Sequence, residues 1–411
     1  MKKIPFYCFG LAYWLVYLTG CQSSQSIEYL TTPCKRGGEP NLHVSNSGNA
    51  YLSWVEYLND STDVLAFSTL EETTWSAPKI VAKGTNWFVN WADFPSLVTY
   101  SDSEDKMAAH WLQKSAVGTY DYDVRIAQSK DGGTTWSKSF VPHTDGIAAE
   151  HGFVTLLPMG NNQIFATWLD GRYTKTENNS DGHDHEGQGG AMTLRAAFFD
   201  GKGQLSGEIE LDDQVCDCCS TSAAQTETGV IVAYRDRLEG EIRDISIVRQ
   251  IGQDWTRPRR LNADGWEIAG CPVNGPKIVS DGEKRVAVAW YTMAQDTAKV
   301  LLAVSNDAGA NFGEPIRIDD GQPLGRVGLT FRGKDLFLSW LEKENVAEAS
   351  IRLAKIDANG LSRKMTVTET SSARRSGFPI LKTWNQQLLM AWTEVLDNEE
   401  NTTIRTALVD F

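Results

Sequence analysis

The chain has 411 residues, with 53 acidic against 39 basic side chains and a formal net charge of -14. No block of basic residues accompanies that balance, which argues against a nucleic-acid partner. The length fits two or three ordinary domains, or one large closed all-β domain.

The chain opens MKKIPFYCFGLAYWLVYLTGCQSS, two lysines followed by an apolar stretch from Ile4 to Leu18. That stretch is shorter than the roughly 20 residues that span a bilayer, so it reads as an export signal. Its end, Leu18-Thr19-Gly20-Cys21, resembles a bacterial lipoprotein signal. The resemblance implies loss of residues 1–20, acylation of Cys21, and a short tether at 21–25 ahead of one domain at 26–411. The protein is then expected outside the cytoplasm, held to the membrane of the cell envelope by the lipid on Cys21. An ordinary secretory signal is the alternative.

From there on the pattern is β throughout, and one strand ending recurs. YLSWVE ends at Glu56, AAHWLQ at Gln113, FATWLD at Asp170, IVAYRD at Asp236, VAVAWYT at Thr292, LFLSWLE at Glu342 and LLMAWTE at Glu394. Aromatic residues stand at 54, 111, 168, 234, 290, 340 and 392. Each copy follows another short apolar segment and precedes a third. A four-stranded unit of about 50 residues repeated around an axis is a β-propeller blade. Seven blades are expected, six being the alternative if one repeat is an accessory hairpin. The seventh copy stops one strand short, so residues 26–31 are expected to supply its outer strand and close the ring, removing exposed edges.

Two corners share a further outline. SKDGGTTWS sets Ser129, Asp131, Gly133 and Trp136 at the same offsets as Ser305, Asp307, Gly309 and Phe312 in SNDAGANFG. Worn copies remain at Ser68 to Trp75 and at Trp255. The outline resembles the Asp-box of sialidases and related propellers. It implies the propeller fold and a structural turn on the face away from the usual active site.

The starts of the first strands and the ends of the second strands open on the other face, around the central channel. In sialidases three arginines hold a sugar carboxylate, a tyrosine paired with a glutamate is the nucleophile, and an aspartate is the acid/base. Under that resemblance Arg326 and Arg375, with Arg172 or Arg237, are candidate anion binders, since a guanidinium fork matches a planar carboxylate. Asp170 and Asp236 are candidate acid or base groups, against a salt-bridged rim role. Trp87 and Trp91 are candidates to stack on a sugar ring or to pack between blades. The sequence departs from the family in having no R-I-P arginine motif before blade 1 and no tyrosine assignable as nucleophile.

The cysteines add something the resemblance does not. VCDCCSTSA puts Cys216, Cys218 and Cys219 before the first strand of blade 4, and AGCPVNGP puts Cys271 before that of blade 5. Neighbouring blades bring these entries together at the mouth. His151, the loop histidines His183 and His185, and Met293 are placed on the same face. Thiolate, thioether and imidazole ligands suit copper or zinc, whereas an exported compartment favours disulfides. A metal or redox site and a disulfide staple therefore both stand, with Cys34 left over. Three functions follow: glycan binding or hydrolysis of a sialidase kind, which needs no cofactor; copper- or zinc-binding; and a scaffold for a protein ligand.

Overall fold

The computed structural model describes residues 1–2, 26–175, 190–396 and 401–411. The expected signal, the Cys21 lipidation site and the loop with His183 and His185 lie outside the described residues. Among the described residues there are seven antiparallel sheets and no α-helix. Blade 3 shows the full unit: His151–Met159, Gln163–Asp170, Thr193–Asp200 and Leu205–Asp212 pair in that order. Blade 2 is the weakest, with Ser96–Tyr100, Ser103–Lys114 and Tyr122–Ser129 alone, its fourth strand reduced to a bridge between Ile126 and Phe140.

Blade 7 is built from both ends of the domain. Ile380–Trp384, Gln387–Val395 and Thr402–Asp410 are joined by Ser26–Leu30, in a register running from Ser26 opposite Asp410 to Leu30 opposite Thr406. The expected closure is therefore formed, and the ring has seven blades rather than six. Each innermost strand touches the next, and that of blade 7 touches that of blade 1.

The recurrent aromatic explains why the blades stack. The apolar core falls into seven clusters, each drawn mainly from two adjacent blades. Every cluster holds one of Trp54, Trp111, Trp168, Tyr234, Trp290, Trp340 and Trp392, so each second strand drives one large ring into the blade before it. Burying an indole also buries its N–H, which needs an acceptor. Trp54 donates to Glu56 at 2.9 Å, Trp168 to Asp170 at 2.8 Å and Trp340 to Glu342 at 2.6 Å. Residues i and i+2 share a face of a strand, so the acid closing these strands is held beside the ring it serves.

The two corner motifs fold alike on the face opposite the strand-2 ends. Ser129 Oγ donates to Asp131 at 2.8 Å and accepts from the Gly133 amide at 2.9 Å, while Asp131 accepts from the Thr135 amide at 2.8 Å. Ser305, Asp307, Gly309 and Asn311 repeat these bonds at 2.7, 3.0 and 2.8 Å. Gly133 and Gly309 have φ of +77° and +78°, and a Cβ on either would lie 2.4 Å from Phe67 or Ile231 of the preceding blade. Trp136 is only half-buried, edge-on to Phe67, and Phe312 packs at the matching interface between blades 4 and 5. In the worn copy of blade 1, Ser68 Oγ is buried without a partner.

Candidate metal centre at the channel mouth

The entry to blade 4 carries the cysteines. The Val215 amide donates to Met192 of blade 3 at 2.8 Å and the Cys216 amide to Arg235 at 3.1 Å, which fixes the start of the run. Cys216 Sγ then lies 3.9 Å from Cys218 Sγ and 3.5 Å from Cys219 Sγ. All are free thiols, Cys216 and Cys219 buried and Cys218 half-buried.

Cys271 comes from blade 5 and stands near enough to Cys218 to bias its thiol, outside the set Cys216, Cys218 and Cys219 whose sulfurs lie within 4.8 Å of one another. Two features bring its loop in. Gly275 packs so tightly that a Cβ there would lie 2.0 Å from the Ser220 carbonyl oxygen. The buried Arg235 donates to the Asn274 carbonyl at 2.9 Å and the Tyr291 carbonyl at 2.7 Å, pinning the loop across the blade boundary. Cys271 itself is exposed, so the group has one open side. Cys34 lies apart, buried between blades 1 and 7.

The electrostatics differ along the run. Burial pushes the Cys216 thiol up, but the hydrogen bonds it shares with Cys218 and Cys219 and the charge of Arg243 outweigh it and hold it well below the usual thiol range. The Cys218 hydrogen bond likewise holds Cys271 low. Cys218 is raised by donating to its three neighbours, and Cys219 chiefly by burial. Arg243 is 1% exposed; its Nη2 donates to Glu241 at 2.6 Å, while Nε and Nη1 are buried with no hydrogen-bond partner. A buried guanidinium beside sulfur, with two nitrogens left without acceptors, favours thiolate.

Next to the thiols is a second group that the sequence did not disclose. The buried Tyr122 hydroxyl donates to Glu150 at 2.7 Å and stands 3.5 Å from Asp93, whose other oxygen accepts the Phe153 amide at 2.8 Å. Burial pushes Asp93 up to about 7 and Glu150 up to about 8, the latter helped by the charges of Asp93, Asp217 and Cys271. Tyr122 has no exposed surface and stacks on Phe88 at 4.1 Å.

His151 is at the mouth but in a different cluster from the cysteines. Its ring lies flat on that of His143 at 3.7 Å, with Nε2 at 3.2 Å from Asp145 and 3.6 Å from Asp170. His143 Nδ1 is also 3.2 Å from Asp145. Asp123, His143 and His151 form one set whose ligand atoms lie within reach of a single ion, and Asp145, His151 and Asp170 form another. The second set already holds a cation, because Arg172 binds both Asp170 oxygens at 2.7 and 2.8 Å and stands 3.3 Å from Asp145. Met293 is exposed in the turn after the second strand of blade 5.

The remaining candidates are individually engaged. Asp170 is fully buried; burial would raise it, but Arg172 and His151 hold it below the usual carboxylate range. Asp236 is buried and accepts from Ser246 Oγ at 2.6 Å and the Arg237 amide at 2.7 Å. The four arginines do not share a ligand: Arg237 pairs with Glu241 at 2.7 Å, and Arg326 donates to Ser376 Oγ at 2.7 Å. Arg375 is exposed in the short turn Arg374–Ser376. Trp91 lies 5.0 Å beneath the Arg326 guanidinium and stacks on Phe378, while Trp87 stacks on Trp111 at 5.6 Å, so both rings pack within the protein.

No protein-family model and no curated protein matches the chain. Among solved structures, a protein of unknown function from Dyadobacter fermentans is 12% identical, over 93% of this chain and 97% of its own, with a TM-score of 0.54. An α-L-arabinofuranosidase from Fusarium graminearum is 11% identical over 95% and 98%, with a TM-score of 0.47. A Hadza microbial sialidase is 12% identical over 84% and 73%, with a TM-score of 0.48. At these identities the likeness speaks of the fold alone.

Proposed function

We propose that this propeller binds one thiophilic metal ion, copper(I) or zinc, through Cys216, Cys218, Cys219 and Cys271. The observation that carries the reading is the spacing of the sulfurs. A tetrahedron with metal–sulfur bonds of about 2.3 Å has edges of about 3.8 Å; the two separations here are 3.5 and 3.9 Å. A disulfide brings its sulfurs to about 2.05 Å. Thiolate character at Cys216 and Cys271 supplies the charged ligands, and Arg243 offsets their charge inside the protein. The exposed side at Cys271 suits loading from solution or from another carrier. The proposal extends to the setting: a lipid on Cys21 holds the disk on the cell envelope, where metal enters and leaves.

The test is metal analysis of protein purified without chelator, joined to a thiol count. About one equivalent of copper or zinc is expected, with the four thiols protected while the ion is bound and reactive after its removal. Four thiols blocked without metal and released only by reductant would replace this reading with the disulfide staple.

A second reading, glycan binding or hydrolysis at the mouth, is favoured by the Tyr122, Glu150 and Asp93 group alone. Fluorogenic sialosides and arabinofuranosides test it. Turnover abolished by Tyr122→Phe supports it, and no turnover between pH 4 and 8 removes it.

A further inference from the structure

The innermost strands of all seven blades enclose a channel cavity of 540 Å³, and two of its wall residues are lysines: Lys277 of blade 5 and Lys382 of blade 7. Among the described residues neither makes an ion pair. Lys277 has only the Phe94 ring, 6.0 Å from its Nζ, and Lys382 is exposed to the channel. The carboxylates in the wall are occupied elsewhere. Asp93 holds the Phe153 amide, and Asp281 holds the Glu283 and Arg285 amides at 2.8 and 3.1 Å in a turn. The nearby His43 accepts the Thr99 amide on Nε2 at 3.1 Å, so its ring is neutral and contributes no compensating charge of either sign.

Two ammonium groups facing one channel without a counter-charge repel each other. We infer that the channel is an anion site in which Lys277 and Lys382 together bind one doubly charged oxyanion, phosphate or sulfate. Lysine suits this as a mobile point charge with three donors. Burial and the charge of Lys382 push Lys277 down to about 8, the signature of a cation that lacks a partner. The inference does not depend on the metal reading, because no cysteine lines this cavity.

The experiment is isothermal titration calorimetry with inorganic phosphate and, separately, sulfate, ionic strength being held constant with chloride. Saturable binding of one anion per chain is expected. Lys277→Met and Lys382→Met should each weaken it at least tenfold, and Lys382→Arg should keep it. Without added anion, each methionine variant should melt at or above the temperature of the parent, since it removes an uncompensated charge. If Lys277→Met does not fold, Lys382→Met carries the test, its side chain lying in the open channel. Cys271→Ser should bind the anion as the parent does. Absence of saturable binding of both anions, or equal binding by the methionine variants, overturns the proposal.

Discussion

The two faces of the disk are built on opposite rules. On the corner face, blades 2 and 5 repeat one hydrogen-bond pattern, atom for atom, from Ser129 and from Ser305. At the mouth the repeat breaks: where other blades enter with Gly38, Gly152 or Gly325, blade 4 enters with Cys219. In the two full corners Asp131 and Asp307 are each bound by a serine hydroxyl and a backbone amide. The mouth keeps groups in reserve, among them the Arg243 nitrogens without acceptors, carboxyls pushed up to about 7 and 8, and thiols held low by their neighbours. Repetition marks what assembles the ring; departure from it marks where chemistry collects.

That contrast can be broken in several ways. The largest effect belongs to the shared architecture. Trp168→Ala removes a fully buried indole and one of the donors to Asp170, so it should destabilise by about 3–5 kcal/mol in chemical denaturation. Metal bound per folded molecule should not change. Cys216→Ser should do the converse, lowering metal affinity at least a hundredfold in a competition titration while the metal-free melting temperature stays near that of the parent. A variant that loses both together would erase the division between faces.

The corners sharpen it at smaller scale. Gly133→Ala and Gly309→Ala each place a Cβ at positive φ against an apolar neighbour, so each should cost about 1–3 kcal/mol, by similar amounts. Ser129→Ala should cost about 1 kcal/mol through the lost hydroxyl bonds. Metal content should be indifferent to all three.

The smallest effect is a change of slope. The folded state keeps the Glu150 proton up to about 8, whereas the unfolded chain releases it near 4.5. Between those values the folded state binds more protons, so stability should fall as pH rises through this window. Glu150→Gln should flatten that fall in melting temperature measured from pH 5 to 8. An unchanged slope would mean that Glu150 ionises freely.

Much of this was legible in the sequence. The aromatic at 54, 111, 168, 234, 290, 340 and 392 gave the blades because each is one ring between two sheets, and the missing last strand gave the closure. The grouping of Cys216, Cys218 and Cys219 could be read because the three stand within four residues of one another at the entry to blade 4. Asp170 and Asp236 were read as possible acid or base groups, and for Asp170 the sequence also held its structural role, because W-x-D puts the carboxyl beside the indole N–H. His143, Asp145, Tyr122 and Arg243 had no such signal. His143 and Asp145 come from an inter-blade loop, Tyr122 from a strand start and Arg243 from the loop between the second and third strands of blade 4, and only tertiary packing sets them beside one another. Trp136 is half-buried, so its removal should cost less than that of Trp168.

The central claim is that four cysteines of two blades surround one ion, and X-ray absorption at the copper or zinc edge tests it most directly. For protein carrying its copurified metal, the account predicts a first shell of three or four sulfurs at about 2.3 Å, reduced by one in Cys271→Ser. A shell of nitrogen and oxygen alone, unaltered in that variant, would contradict it.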